Sequence, residues 1–182
     1  MLFQNKKTMA LLKDIEGISP KIHESCYLAE TAVVIGKTTI GKNSSVWFNA
    51  VIRADVNEIV IGDYSNIQDN ACVHCTYQKA ATIIGDYVTI GHNAVVHGCK
   101  IGNNALIGMG SVVMDEAVIG EGAIVAAGAV ITEKTIVPPG TIWAGVPAKQ
   151  VKELDKEKTK KYLGAHAERY HNYTKWWYSE EK

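Results

Sequence analysis

The chain has 182 residues, 47% of them hydrophobic, and its 19 Lys and Arg balance 19 Asp and Glu. This suits one domain with an ample core, and a formal net charge of zero gives no electrostatic reason for a nucleic-acid or anionic-membrane partner. The start, MLFQNKKTMA, lacks the apolar run of a signal peptide, and no later stretch reads as a membrane span. Four cysteines without a disulfide-like framework fit a reducing compartment, so a cytoplasmic location is expected.

Residues 1–21 are weakly patterned and read as a lead-in, broken at Gly17-Ile18-Ser19-Pro20. From Ile22 an aliphatic residue returns at steps of six: Leu28, Val34, Ile40, Val46, Ile52; Ile61, Ile67, Val73; Ile84, Ile90, Val96; Ile101, Ile107, Val113; Ile119, Val125, Ile131, Val137. A period of six fits neither a helix nor an alternating strand. It fits a chain that buries one aliphatic residue per short strand and then turns. Three such sides close a triangular coil, and coils stack at about 4.8 Å. The expected fold is an all-β solenoid, a β-helix over residues 22–147. Two spacings stretch, Ile52 to Ile61 by nine and Val73 to Ile84 by eleven. Both follow the third side of a coil, so both emerge at one corner.

The repeats end where Pro138, Pro139 and Gly140 stop regular pairing. In residues 148–182, Val151, Leu154, Tyr162, Ala165, Tyr170, Tyr173 and Trp177 recur at roughly helical spacings. They predict one or two amphipathic helices folded back on the flank, with Gly164 marking a kink or short break. Cys72 falls at what reads as the small, buried position of its hexad, whereas Cys75 is expected nearer the site.

Three histidines lie inside the repeat. His74 follows Val73 by one and His97 follows Val96 by one, so both point outward from the same side on adjacent coils. Two imidazole nitrogens on one Zn²⁺ stand about 3.3 Å apart, given bonds near 2.0–2.1 Å, which backbones one coil apart can reach. His92 follows Ile90 by two, on the preceding side, and is expected to point away from its own pair. If three prisms pack about a threefold axis, His92 meets the pair of a neighbour. That yields three metals per trimer and an open fourth position, as a catalytic zinc requires. Arg53 stacks in the column of His74 and His97, Asp55 lies near the corner, and Gln68 shares the side of His92.

At RADVNEIVIGDYSNIQDNACVH followed by IGHNAVVHGC the sequence resembles the γ-class carbonic anhydrase family. The family pattern R-x-D, N-x-Q-D, H, then H-x4-H is met by Arg53-Ala54-Asp55, Asn66-Ile67-Gln68-Asp69, His74 and His92 to His97. The resemblance implies a left-handed parallel β-helix with a C-terminal helix packed along it. It implies a homotrimer with zinc, iron or cobalt at each interface, and reversible hydration of CO₂ to bicarbonate by a metal-bound hydroxide. His74, His92 and His97 match the metal ligands, Gln68 the residue that orients the hydroxide, Arg53 and Asp55 the intersubunit pair, and Asn66 a nearby hydrogen bonder. Tyr170 resembles the tyrosine reaching back from the helix, with Tyr173 as its competitor. Two departures bear on proton release: Val56 stands where the family prototype has glutamate, and CTYQKAAT, residues 75–82, carries no carboxylate. The competing expectations are a hexapeptide-repeat acyltransferase using acyl-CoA, with one histidine as general base, and a non-catalytic metal-binding trimer.

Overall fold

The computed structural model describes residues 10–178 of the protein; the first nine residues of the lead-in and the last four of the C-terminal segment lie outside them. The chain winds a left-handed parallel β-helix of about seven turns, with one helix along its flank. One side of the prism stacks Val51, Cys72, Val95, Val112 and Val130 in parallel register, each beside an inward aliphatic residue. A second stacks Ile59–Ile61, Thr82–Ile84, Lys100–Ile101, Val118–Ile119 and Ile136–Val137. The third stacks Tyr27–Leu28, Ser45–Val46, Asn66–Ile67, Thr89–Ile90, Leu106–Ile107 and Ile124–Val125.

The hexad residues form the axial core: Val34, Ile52, Val73, Ile90, Val96, Ile107 and Ile131 are all 0% exposed. Most strands span two or three residues because the corner that follows each is a tight turn. The turns use left-handed residues such as Asn43, Asn70, Asn93 and Gly122, at φ between 56° and 64°. Asparagine and glycine tolerate that region, so the hexad alternates an aliphatic residue with one that can turn. One corner carries a side-chain ladder in which Asp63, Asp86 and Asn103 each cap a backbone N–H of the coil before, at 2.7–2.9 Å.

The two long spacings do lie at one corner, and they differ in form. Residues Val51–Ile61 make one continuous strand whose extra length is a bulge opposite Gly36–Thr38. Gly36 sits at φ 68°, where a Cβ would stand 2.2 Å from the Ala54 carbonyl oxygen, so only glycine fits the bend. The longer spacing is a loop whose base closes through a bridge between Thr76 and Ala80.

Three expectations need correction. The lead-in is part of the solenoid from Leu11 onward, since Leu11–Lys13 pairs in parallel with Val33–Ile35. The change of composition at Ala148 marks a strand, not a helix: Ala148–Glu153 turns back antiparallel on Thr141–Gly145, and a single helix follows at Lys156–Tyr178. Asp155 caps that helix by accepting the Lys158 N–H at 3.1 Å. Cys72 is not the small buried residue of its hexad. Ala71 is, at 1% exposure, while Cys72 faces outward and Cys75 is the buried one.

The helix docks on the third side through buried Leu163, Ala167 and Thr174. Gly164 does not break it; a Cβ there would come within 3.3 Å of the Asn104 side chain, so the glycine admits a close approach to the solenoid. Trp47 meets Tyr170, Phe48 meets Trp177, and Tyr64 meets His171, at centroid distances of 5.2–5.7 Å.

Truncating Ile90→Ala, at the axis, is expected to lower stability by about 2–5 kcal/mol in urea unfolding. Burial pushes the Cys99 thiol up to about 12. At pH 8 only about one such thiol in ten thousand is ionised, so iodoacetamide is expected to label Cys99 in urea and not in the folded protein. Labelling of Cys99 itself in the folded chain within minutes, read by peptide mapping, would contradict its place in the core.

Candidate metal centre

His74 and His97 end two adjacent strands, Cys72–His74 and Val95–His97, and face each other in register. Their rings lie 4.9 Å apart between centroids, with His74 Nδ1 2.9 Å from His97 Nε2. Each outer nitrogen meets a carboxylate: His74 Nε2 meets Asp55 Oδ1 at 2.9 Å and His97 Nδ1 meets Asp115 Oδ1 at 2.5 Å. Asp55 also pairs with Arg53. The second oxygen of Asp115 accepts from the Thr76 hydroxyl at 2.7 Å.

The line Asp55–His74–His97–Asp115 thus has three contacts. Two neutral imidazoles bring two N–H protons, one fewer than the contacts need, so a third proton or a metal ion between the rings would complete the line. The gap of 2.9 Å is close to the spacing of about 3.3 Å that two nitrogens take on one zinc. On its donor set and spacing the pair fits a divalent metal ion. Among the described residues no three His, Cys, Asp or Glu side chains of one chain form such a group.

Burial raises the Asp55 carboxyl, but hydrogen bonds from His74 and Arg53 outweigh it and hold the group below its ordinary value. For Asp115 burial acts the same way and is likewise outweighed, by His97 and Thr76. Both stay ionised at neutral pH and act as acceptors.

His92 stands at another corner, in the turn between Thr89–Ile90 and Val95–His97. Asp69 Oδ2 holds its Nδ1 at 2.7 Å, and Asp69 Oδ1 accepts the Phe48 N–H at 3.1 Å. That leaves Nε2 as the ring's remaining donor atom for a ligand. Beside this corner Asn66 and Gln68 lie at 1% and 3% exposure. Gln68 Nε2 donates to Asn66 Oδ1, and Asn66 Nδ2 donates to the Thr89 hydroxyl, each at 3.0 Å. Tyr170 reaches back from the helix towards Gln68; burial, then Tyr173 and Asp69, push its phenol up, and Gln68 acts against them. Tyr173 lies behind it, 5.4 Å away between ring centroids.

The chain therefore brings the candidate residues together in two groups: Arg53, Asp55, His74 and His97 at one edge of a face, and Asn66, Gln68, His92 and Tyr170 by the other. Between them runs a column of Val51, Cys72, Val95, Val112 and Val130, with Val95 37% exposed. Asp115 was not among the expected residues. Its signal was its place two residues beyond Val113, which stacks on Val96. Glu58, another carboxylate near the corner, pairs with Lys37 at 3.1 Å.

Residues 98–133 match the family model described as bacterial transferase hexapeptide (six repeats), and residues 81–114 that of the hexapeptide repeat of succinyl-transferase. A Methanocaldococcus jannaschii protein named "Probable carbonic anhydrase" is 49% identical over 139 residues, 76% of this chain and 87% of that protein. Gamma carbonic anhydrase 2, mitochondrial, of Arabidopsis thaliana is 40% identical over 166 residues, 88% of this chain and 59% of that protein. The crystal structure of a hexapeptide transferase family protein from Anaplasma phagocytophilum superposes with a TM-score of 0.85 at 43% identity, covering 91% of this chain and 96% of that one. The last of these carries a transferase name on the same coil, so the fold is common to both chemistries. With nearly half its residues shared over most of the archaeal protein, the chain belongs to the γ-class carbonic anhydrase family.

Proposed function

We propose that the protein catalyses the reversible hydration of CO₂ to bicarbonate with a divalent metal, Zn²⁺ or else Fe²⁺ or Co²⁺, shared between subunits of a homotrimer. The observation that carries this reading is the His74–His97 pair, 2.9 Å apart and braced by an aspartate at each end. A threefold ring repeats one heterologous contact and closes it, so it would set each pair against the His92 of the next copy. The apolar column between the two groups is a surface that such a copy would cover. Three imidazoles would then hold the ion and leave a fourth position open.

When bound, the metal supplies a Lewis acid that brings the pKa of water to about 7. The chain's own groups do the rest. Asp55 and Asp115 hold the ligand rings, and the Gln68 amide, fixed by Asn66, orients water by hydrogen bonding. A cavity beside Asp55 is lined by Ile15, Ile18, Ala54 and Val56 together with Glu16, Lys37 and Asn57. The acyl-transfer alternative draws on the transferase name of the Anaplasma protein and predicts CoA binding without metal.

Protein purified without chelator or metal-affinity tag is expected to hold about one metal per chain, and His74→Ala, His92→Ala and His97→Ala each to lose it. Co-assembled His92→Ala and His97→Ala chains should regain about a quarter of the sites, because a quarter of randomly mixed interfaces join an intact pair to an intact His92. No regain would sink the shared site. Gln68→Ala is expected to keep its metal and lose about 10- to 100-fold in CO₂ hydration kcat, measured by stopped flow. Absence of metal after anaerobic reconstitution with Zn²⁺ or Fe²⁺, together with CoA binding, would replace this reading by acyl transfer.

A further inference from the structure

Each of the three histidines has its own aspartate: Asp55 for His74 at 2.9 Å, Asp69 for His92 at 2.7 Å, Asp115 for His97 at 2.5 Å. The first two stand in the R-x-D and N-x-Q-D stretches, and Asp115 stands in neither. It comes from the coil that follows the one carrying His97. Both of its oxygens are used, one by the His97 ring and one by the Thr76 hydroxyl. Thr76 begins the base of the loop at the corner, whose backbone Asn57 also holds through the Thr76 carbonyl at 3.1 Å. Lys79, near the loop's tip, pairs with Glu116, the neighbour of Asp115, at 2.9 Å. Gly98 makes room for the carboxylate, since a Cβ there would stand 2.4 Å from Asp115 Oδ1.

We infer that Asp115 is a positioning residue that fixes the His97 ring for the metal and, through Thr76, couples metal occupancy to the order of the 75–81 loop. The inference rests on His97 being a ligand, as proposed above. A carboxylate on Nδ1 sets the tautomer, stops the ring from turning and strengthens Nε2 as a donor. The same carboxylate anchors the loop, so an ion that immobilises His97 also immobilises Asp115 and with it Thr76. Coupling needs a shared physical link, and this one is two hydrogen bonds long. The carboxylate missing from residues 75–82 is thus supplied from two coils on, to a different end: it holds the loop to His97.

Competition of full-length, metal-stripped protein against a chromophoric chelator for Zn²⁺, beside tryptic cleavage after Lys79, tests this. Asp115→Ala is expected to weaken Zn²⁺ binding by about 10- to 100-fold. Asp115→Asn, which keeps the shape and an acceptor oxygen but not the charge, should fall between it and the native protein. Zn²⁺ should slow cleavage after Lys79 in the native protein and in Thr76→Ser, which retains the hydroxyl, but not in Asp115→Ala or Thr76→Val. The metal-free melting temperature of Asp115→Asn guards against a folding defect. Native-like affinity within twofold in both Asp115 variants, or Zn²⁺ protection of Lys79 that persists in them, overturns the inference while leaving the metal site standing. Failure of the native protein to bind Zn²⁺ overturns the site and the inference together.

Discussion

The register between successive coils is the constraint on which this molecule depends. Val73 lies on Val96 and Val96 on Val113 because each fills the same slot along the axis, and the backbone hydrogen bonds follow that stacking. Side chains alternate between core and surface, so a slip of one residue would turn His97 into the core and Val96 out to water. Burying an imidazole there without a partner would cost several times what one aliphatic contact contributes. The 2.9 Å approach of the two rings is therefore enforced by the packing of the valines that precede them.

Polar groups beneath the helix obey a second condition. Asn66 and Gln68 are buried and could be tolerated only with partners, which they find in each other and in Thr89. The helix covers this network and sets Tyr170 beside Gln68. Its docking by aromatic rings at Trp47, Phe48 and Tyr64 holds Tyr170 in place. Among the described residues the Trp143 indole N–H is the buried side-chain group left without a hydrogen bond.

Much of this could be read before any coordinates. A period of six assigns each aliphatic residue to a side, and counting from Val73 and Val96 sets His74 beside His97 without further knowledge. Counting fails where the chain leaves the strand. Asp115 lies past Met114, in a turn, and the frame gives the column of a turn residue without the direction of its side chain. Cys72 was displaced by one position because both Ala71 and Cys72 are small, and only the inward Val73 separates them into core and face. The strand Ala148–Glu153 was hidden by Lys149, Lys152 and Glu153, which suit a solvent-facing edge as well as a helix. Gly164 is helix-weakening by propensity, and contact with Asn104 overrides that.

Unequal spacing at a single corner has a consequence for how such a chain can change over generations. Between the side that carries the histidine pair and the next, successive coils use nine, eleven and five residues from one aliphatic position to the next, while the other two corners hold to six. Length there is free because the bulge at Ala54–Glu58 and the 75–81 loop leave the slots on either side unmoved. An added residue at either of the other corners would shift every later slot by one and turn the histidines that follow it. Insertions and deletions are thus admitted only beside the histidine pair, where a new loop can alter what reaches the two rings without moving them.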